Sequence, residues 1–358
     1  MLRFAPAVFA VSDTYQLLLE TTKPAVFSLV VGEEEYFEEI NGIAPSLSRV
    51  HRISVPMQVL DTARAYTVRL TSVPERKNYY TRGEETEEHT FSFSPVPENA
   101  RVFCVSDAHN RVASPTRAAE AFGEFDLAVL LGDIPEDASH TEAFSTVFEL
   151  AAALTHGEKP CVFARGNHDM RGACAEEYAR YTPTKDGNSF YTFRLGSLWG
   201  IVLDCGEDKD DGRVEYGPTI ACRAFRRRQT RFLKDVISNK EAEYAAEGVK
   251  TRLVVCHVPF PLKQEEPFNI EEELYREWTD LLREELSPHL FLSGHTHKHE
   301  IVTDNARALS SLPCPIVITC EPREEEFIGC GICVGEAEIS LTFTDSQTGA
   351  ASTAALPK

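Results

Sequence analysis

RVFCVSDAHN, residues 101–110, decides the fold. Its apolar core, Val102-Phe-Cys-Val, shows no polar alternation and reads as a strand covered on both faces. The run ends at Ser106 and delivers Asp107 and His109, a carboxylate and an imidazole, just past the strand's carboxyl end. Ser114 and Pro115 then open a helix, the serine as cap and the proline in the first turn, that runs to about Phe122. The same alternation continues downstream. Strands are expected at 125–131, 160–164, 252–256 and 289–292, with helices at 141–154, 223–237 and 271–285. Strand-like runs return between 316 and 344. This alternation marks a layered α/β domain, assigned to residues 99–358.

Residues 1–98 read differently. Period-two alternation in Tyr15-Gln-Leu-Leu-Leu-Glu, Ala25-Val-Phe-Ser-Leu-Val-Val and Tyr66-Thr-Val-Arg-Leu, broken by Pro and Gly, predicts a small all-β sandwich of the fibronectin III or immunoglobulin kind. Pro95 and Pro97 then disfavour both helix and central strand and mark a linker.

Five strands in the second part end in groups that can bind metal. The first carries Asp107 and His109, the second Gly132-Asp133, the third Gly166-Asn167-His168-Asp169, the fourth His257, and the fifth Gly294-His295-Thr-His297. In α/β sheets, sites form beyond the carboxyl ends of strands, so these remote segments are expected to meet at one rim. Carboxylate, amide oxygen and imidazole without thiolate suit Mn²⁺, Fe or Zn²⁺. The set is too large for one tetrahedral ion and suits two, held about 3.5–4 Å apart by a shared carboxylate.

This ordered set resembles the calcineurin-like metallophosphoesterase superfamily over residues 100 to 345. The resemblance implies a four-layer αββα domain and a centre of two divalent metal ions. It implies that Asp107, His109 and His297 hold one ion, that Asn167, His257 and His295 hold the other, and that Asp133 bridges them. A hydroxide between the ions would attack phosphorus in line, and His168 would protonate the leaving oxygen as general acid. Asp169, beside it, is expected to pair with the imidazole and hold it charged. Arg165 and Arg171 flank this motif. Either guanidinium suits a phosphate oxygen, with a structural ion pair as the alternative.

The β-sandwich ahead of such a domain is similar to the layout of purple acid phosphatases. That family has a tyrosine three residues after the Gly-Asp aspartate, where this chain has Glu136, and it lacks the histidine present here as His109. Mn, Fe²⁺ or Zn²⁺ is therefore expected in place of a ferric tyrosinate. A catalytically silent scaffold of this fold would typically lack a ligand or the proton donor, and none is missing.

Composition bounds the partners. The 358 residues carry 36 Lys and Arg against 56 Asp and Glu, a net charge of −20, which argues against nucleic acid and anionic lipid. A small phosphorylated substrate or a phosphoprotein is the expected partner. No apolar run reaches the roughly 18 residues of a membrane span, and the N-terminal stretch lacks a signal-peptide layout. Ten scattered cysteines, several inside apolar strands, suggest reduced core thiols and a cytoplasmic setting. Cys330 and Cys333 form a single CxxC, read as structural. The five arginines between Arg223 and Arg231 read as the solvated face of a helix.

Overall fold

A computed structural model describes residues 1–349 and 351–358. Strand Arg101–Val105 lies inside a ten-stranded sheet. It pairs in parallel with Leu127–Leu130, which pairs in parallel with Cys161–Phe163. On its other side it runs antiparallel to Phe327–Val334, followed outward by Glu338–Asp345 and Ala351–Pro357. A second, six-stranded sheet places Leu198–Val202, Thr251–Val255, Leu290–Ser293 and Ile316–Ile318 side by side in parallel.

The layers follow from side chains alternating across each strand. Val102, Cys104, Leu127, Val129 and Val162 face inward and share one core with Val202, Leu253, Val255, Leu290 and Leu292 of the second sheet. Phe103, Val105, Ala128, Leu130 and Phe163 face outward onto helices Ala113–Phe122 and Ser145–Thr155. Trp199, Ile201, Val254 and Phe291 do the same for helices Cys222–Ser238 and Glu272–Leu281. This is the four-layer αββα arrangement. Each large apolar side chain so buried contributes about 1.5–3 kcal/mol.

Some local details differ from the sequence reading. The helix expected to begin with a capping Ser114 begins at Ala113, and Ser114 lies inside its first turn without capping it. Arg226, expected on the solvated face of its helix, is buried and donates to the backbone carbonyls of Cys205 and Glu207. Cys330 and Cys333 both sit on strand Phe327–Val334, where a spacing of three sends them to opposite faces, so they cannot chelate one ion together.

The larger difference concerns residues 1–98. A four-stranded sheet, Glu34–Phe37, Ala25–Val31, Ala65–Ser72 and Thr86–Ser92, does pack as one layer of a sandwich. Its Phe27, Leu29, Val68 and Leu70 join the core that holds Leu17, Leu19, Ile53 and Val55. The opposing layer is not a separate sheet. Strands Ala7–Val11, Thr14–Glu20 and Val50–Pro56 belong to the ten-stranded sheet, with Phe9 in parallel register beside Cys161. Hydrogen bonds of one sheet therefore cross the boundary expected at residue 98.

Removing residues 1–98 should strip strand Cys161–Phe163 of a neighbour and uncover the apolar ends of two cores. The expected outcome is an insoluble fragment, or one that melts without cooperativity. A soluble fragment 99–358 that unfolds cooperatively near the melting temperature of the full chain would contradict the continuous-sheet account.

Candidate metal centre

All the expected ligands meet at the carboxyl ends of the central strands. Strand Arg101–Val105 stops and Asp107 turns into the left-handed backbone region, φ 54°, donating its N–H to the Gly132 carbonyl at 3.0 Å. His109, φ 46°, donates its N–H to the Asp133 carbonyl at 3.0 Å, so the first two strand ends brace each other. Asp133, His295 and His297 also have positive φ, at 52°, 74° and 54°. Five of the seven expected ligands thus hold a backbone conformation that costs energy for a residue with a side chain, and such residues cluster at functional sites. The turns also need glycine. A Cβ on Gly132, φ 86°, would lie 2.4 Å from the Gly166 nitrogen, and one on Gly166 would lie 2.1 Å from Asp133 Oδ1.

Two imidazole pairs flank two carboxylates. His109 Nε2 is 3.2 Å from His297 Nε2, and His297 Nε2 is 3.3 Å from Asp107 Oδ1. On the other side, His257 Nε2 is 3.2 Å from Asp133 Oδ2 and 3.9 Å from Asp107 Oδ1. His295 Nδ1 lies 3.0 Å from Asn167 Oδ1, and its backbone N–H donates to the Asp107 carboxylate. Asp107, His109 and His297 form one candidate ligand group, and Asp107, Asp133 and His257 another.

The donors fit divalent cations. His257 Nδ1 is 2.6 Å from the Leu131 carbonyl, which makes Nδ1 the N–H donor and turns Nε2 inward. That buried Nε2 has no partner in hydrogen-bonding geometry although Asp133 Oδ2 is near, and His109 Nδ1 is likewise buried without one. Asp107 and Asp133 are almost fully buried, so their charge calls for a nearby cation. Burial opposes ionisation of Asp133, yet the charge on His257 and the N–H of His168 outweigh it and hold the carboxyl well below the usual range. Burial likewise disfavours the charged form of His257, but Asp133 and Asp107 push its pKa up to about 10. Burial, reinforced by His257, pulls His295 down to about 4. The pull that protonates His257 is the pull that would hold a divalent ion between these groups.

His168 and Asp169 part company. The His168 N–H donates to Asp133 Oδ1 at 2.8 Å, and its ring Nδ1 lies 2.8 Å from the Glu136 carbonyl oxygen. Asp169, expected to pair with that ring, turns inward and accepts the N–H groups of Gly166 at 2.7 Å and Asp133 at 3.2 Å. Burial and the Asp133 charge raise its pKa to about 7. It fixes the turn that carries Asp133 and Asn167. The arginines are also committed elsewhere. Arg165 Nε donates to buried Asp204 at 2.7 Å, and Arg171 makes a forked pair with Glu207 and a further bond to Asp208. Both guanidinium groups are thus held in ion pairs with acidic side chains.

Glu136 is the residue the motif reading passed over. Its carbonyl orients His168 and its Oε2 is 3.2 Å from His109 Nδ1. With His109 and His168 it forms a third candidate ligand group. Its position three residues after Asp133 was the only signal in the sequence.

Residues 100–299 match the family described as calcineurin-like phosphoesterase. The chain belongs to that family. Metal-dependent phosphoester hydrolysis is the general chemistry this membership supports. Among solved structures, the fold is similar to a purple acid phosphatase from yellow lupin (Lupinus luteus) seeds, with TM-score 0.61 and 12% identity over 99% of this chain and 74% of that one. It is also similar to PhoD, with TM-score 0.58 and 11% identity over 98% of this chain and 88% of that one. At these identities the likeness is one of fold. No curated protein sequence matches the chain. No helix among the described residues is long and apolar enough to cross a membrane.

If the buried carboxylates of this phosphoesterase are built around cations, adding Mn²⁺ or Zn²⁺ to chelator-treated protein should raise its melting temperature. Binding at a thousand times the dissociation constant corresponds to about 4 kcal/mol. Asp133→Asn should cancel most of that gain. A calorimetric melting curve indifferent to the ions would rule the centre out.

Proposed function

We propose that the chain is a dinuclear phosphoric-ester hydrolase acting on a small phosphorylated substrate. The observation that carries the proposal is the convergence of seven donors, two of them buried carboxylates, from five strand ends. In this reading Asp107, His109 and His297 would hold one divalent cation, Asn167, His257 and His295 would hold the second, and Asp133 would be shared between them. Such cations, when bound, lower the pKa of water for attack on phosphorus and offset charge on the phosphoryl oxygens.

The chain's own residues set the rest. Asp133 is held by the backbone N–H of His168, so the bridging carboxylate and the proton donor move as one piece. The Glu136 carbonyl accepts from His168 Nδ1–H, which leaves Nε2 as the atom that gives its proton to the leaving oxygen. Asp169 keeps the turn rigid from below and touches no substrate. The ten free cysteines, seven of them buried, support a reducing, cytoplasmic setting.

Replacing Asp133 or His257 with Ala should lower metal-supported hydrolysis of 4-nitrophenyl phosphate by roughly a thousandfold, the loss of several kcal/mol of charge stabilisation. Unchanged turnover would reject the assignment.

His168→Asn gives a sharper signature. A lost proton donor should cost about 10²–10⁴ in kcat for alkyl esters, whose leaving oxygen needs the proton, and far less for 4-nitrophenyl phosphate. Equal losses for both esters would assign His168 another role.

A further inference from the structure

Helix Cys222–Ser238 borders a groove of about 920 Å³ that none of the seven expected metal ligands lines. Arg223, Arg227 and Arg231 follow one another at a spacing of four along this helix, with Arg228 alongside, and all four are exposed and line the groove. Arg223 Nε lies 3.4 Å from Glu271 Oε1. Arg227, Arg228 and Arg231 make no ion pair or hydrogen bond among the described residues. Like charges one turn apart destabilise a helix. Lys234 on the same helix is neutralised by Glu277 at 2.6 Å, whereas the arginine row is not. The lining contains one carboxylate, Asp211, and its oxygens are turned onto the helix start, where they accept the N–H groups of Cys222 and Arg223 at 3.1 and 3.0 Å.

The groove is preformed. Its other lining segment, residues 179–189, is pinned from strand Val50–Pro56 by Arg52, which donates to the carbonyls of Ala179 and Thr182 at 2.6 Å each and to Thr184 Oγ1 at 3.0 Å. Gln16 exchanges two further hydrogen bonds with the Thr184 backbone. Phe225, also in the lining, holds the guanidinium groups of Arg165 and Arg228 at 5.3 and 5.4 Å from its ring centre.

Spacing selects the ligand. Residues four apart on a helix stand about 6 Å apart along its axis. Alternate side chains of an extended peptide stand about 6–7 Å apart. A row of guanidinium forks at that interval therefore matches carboxylates on every second residue of an extended chain. A long polyanion fits less well. The groove shares Arg165, Met170, Thr219 and Ile220 with an adjoining cavity, whose lining mixes Arg171 and Lys209 with Glu176, Glu207 and Glu215, so no cationic track continues there for a nucleic-acid backbone. The net charge of −20 does not cancel the row at close range, because physiological salt screens charges more than about 8 Å away.

We propose that this groove docks a short acidic segment of a partner protein, extended and with carboxylates on alternate residues, against Arg227, Arg231 and the neighbouring Arg228. The proposal stands apart from the hydrolase reading and needs no metal.

Fluorescence polarisation on the full chain tests it, with a short fluorescein-labelled peptide in which glutamate alternates with serine. That peptide should bind about tenfold tighter than its glutamine counterpart, the scale of two or three exposed ion pairs. The double variant Arg227→Ala, Arg231→Ala should lose most of this margin. The double variant Arg76→Ala, Arg82→Ala, which removes the same charge from exposed residues outside the groove, should keep it. Equal binding of the two peptides by the unaltered chain, an undiminished margin in the first variant, or the same loss in both variants would overturn the proposal. Tighter binding of a thymidine oligonucleotide or of phosphatidylserine vesicles than of the acidic peptide would overturn the choice of partner.

Discussion

Three carboxyl groups, Asp107, Asp133 and Asp169, lie almost wholly out of water at one rim of the sheets. Taking a charge out of water costs several kcal/mol even after the protein relaxes, unless a counter-charge or a set of hydrogen bonds replaces the solvent. The rim answers this constraint in two ways. Asp169 turns to backbone N–H groups and has a raised pKa, so it serves as scaffold. Asp107 and Asp133 instead face imidazoles, and the Nε2 of His257, 3.2 Å from Asp133, is buried without a hydrogen-bonding partner. The left-handed turns at five ligands and the close approach of Gly132 to Gly166 are the backbone conditions for that placement.

The convergence of these residues was legible in the sequence because each sits just after an apolar strand, and strand ends in an α/β layer share a rim. Nothing about Asp133 or His257 had to be inferred from distant contacts. The direction of a side chain within a turn was not legible. Asp169 follows His168 directly, yet the short helical turn His168–Met170 sends one ring toward Glu136 and the neighbouring carboxyl into the protein. Arg165 and Arg171 bracket the same turn, and only the fold shows that Asp204, Glu207 and Asp208 come to meet them. Arg226 was misplaced for a related reason. Helical periodicity assigns a face but does not reveal that loop carbonyls on the buried side need donors.

The sandwich reading of the first 98 residues identified strands but did not show which sheet each of them joins. Alternation in Tyr15 to Glu20 identifies a strand with one wet and one dry face at most, and says nothing of which edge it joins. Strand pairing is a choice among edges, made by packing in three dimensions. Here Phe9 chose Cys161, and the smaller sheet closed over the far end of the same surface.

That shared surface bears on how the chain emerges from the ribosome. The strand Ala7–Val11 finds Thr14–Glu20 almost at once, but its other flank stays bare until the segment around Cys161 has been made. Throughout that interval the nascent polypeptide exposes an apolar, hydrogen-bond-hungry edge, the feature that recruits chaperones or neighbouring chains. Long-range parallel closure of this kind also forms slowly, because loop entropy is lost before the contact is gained.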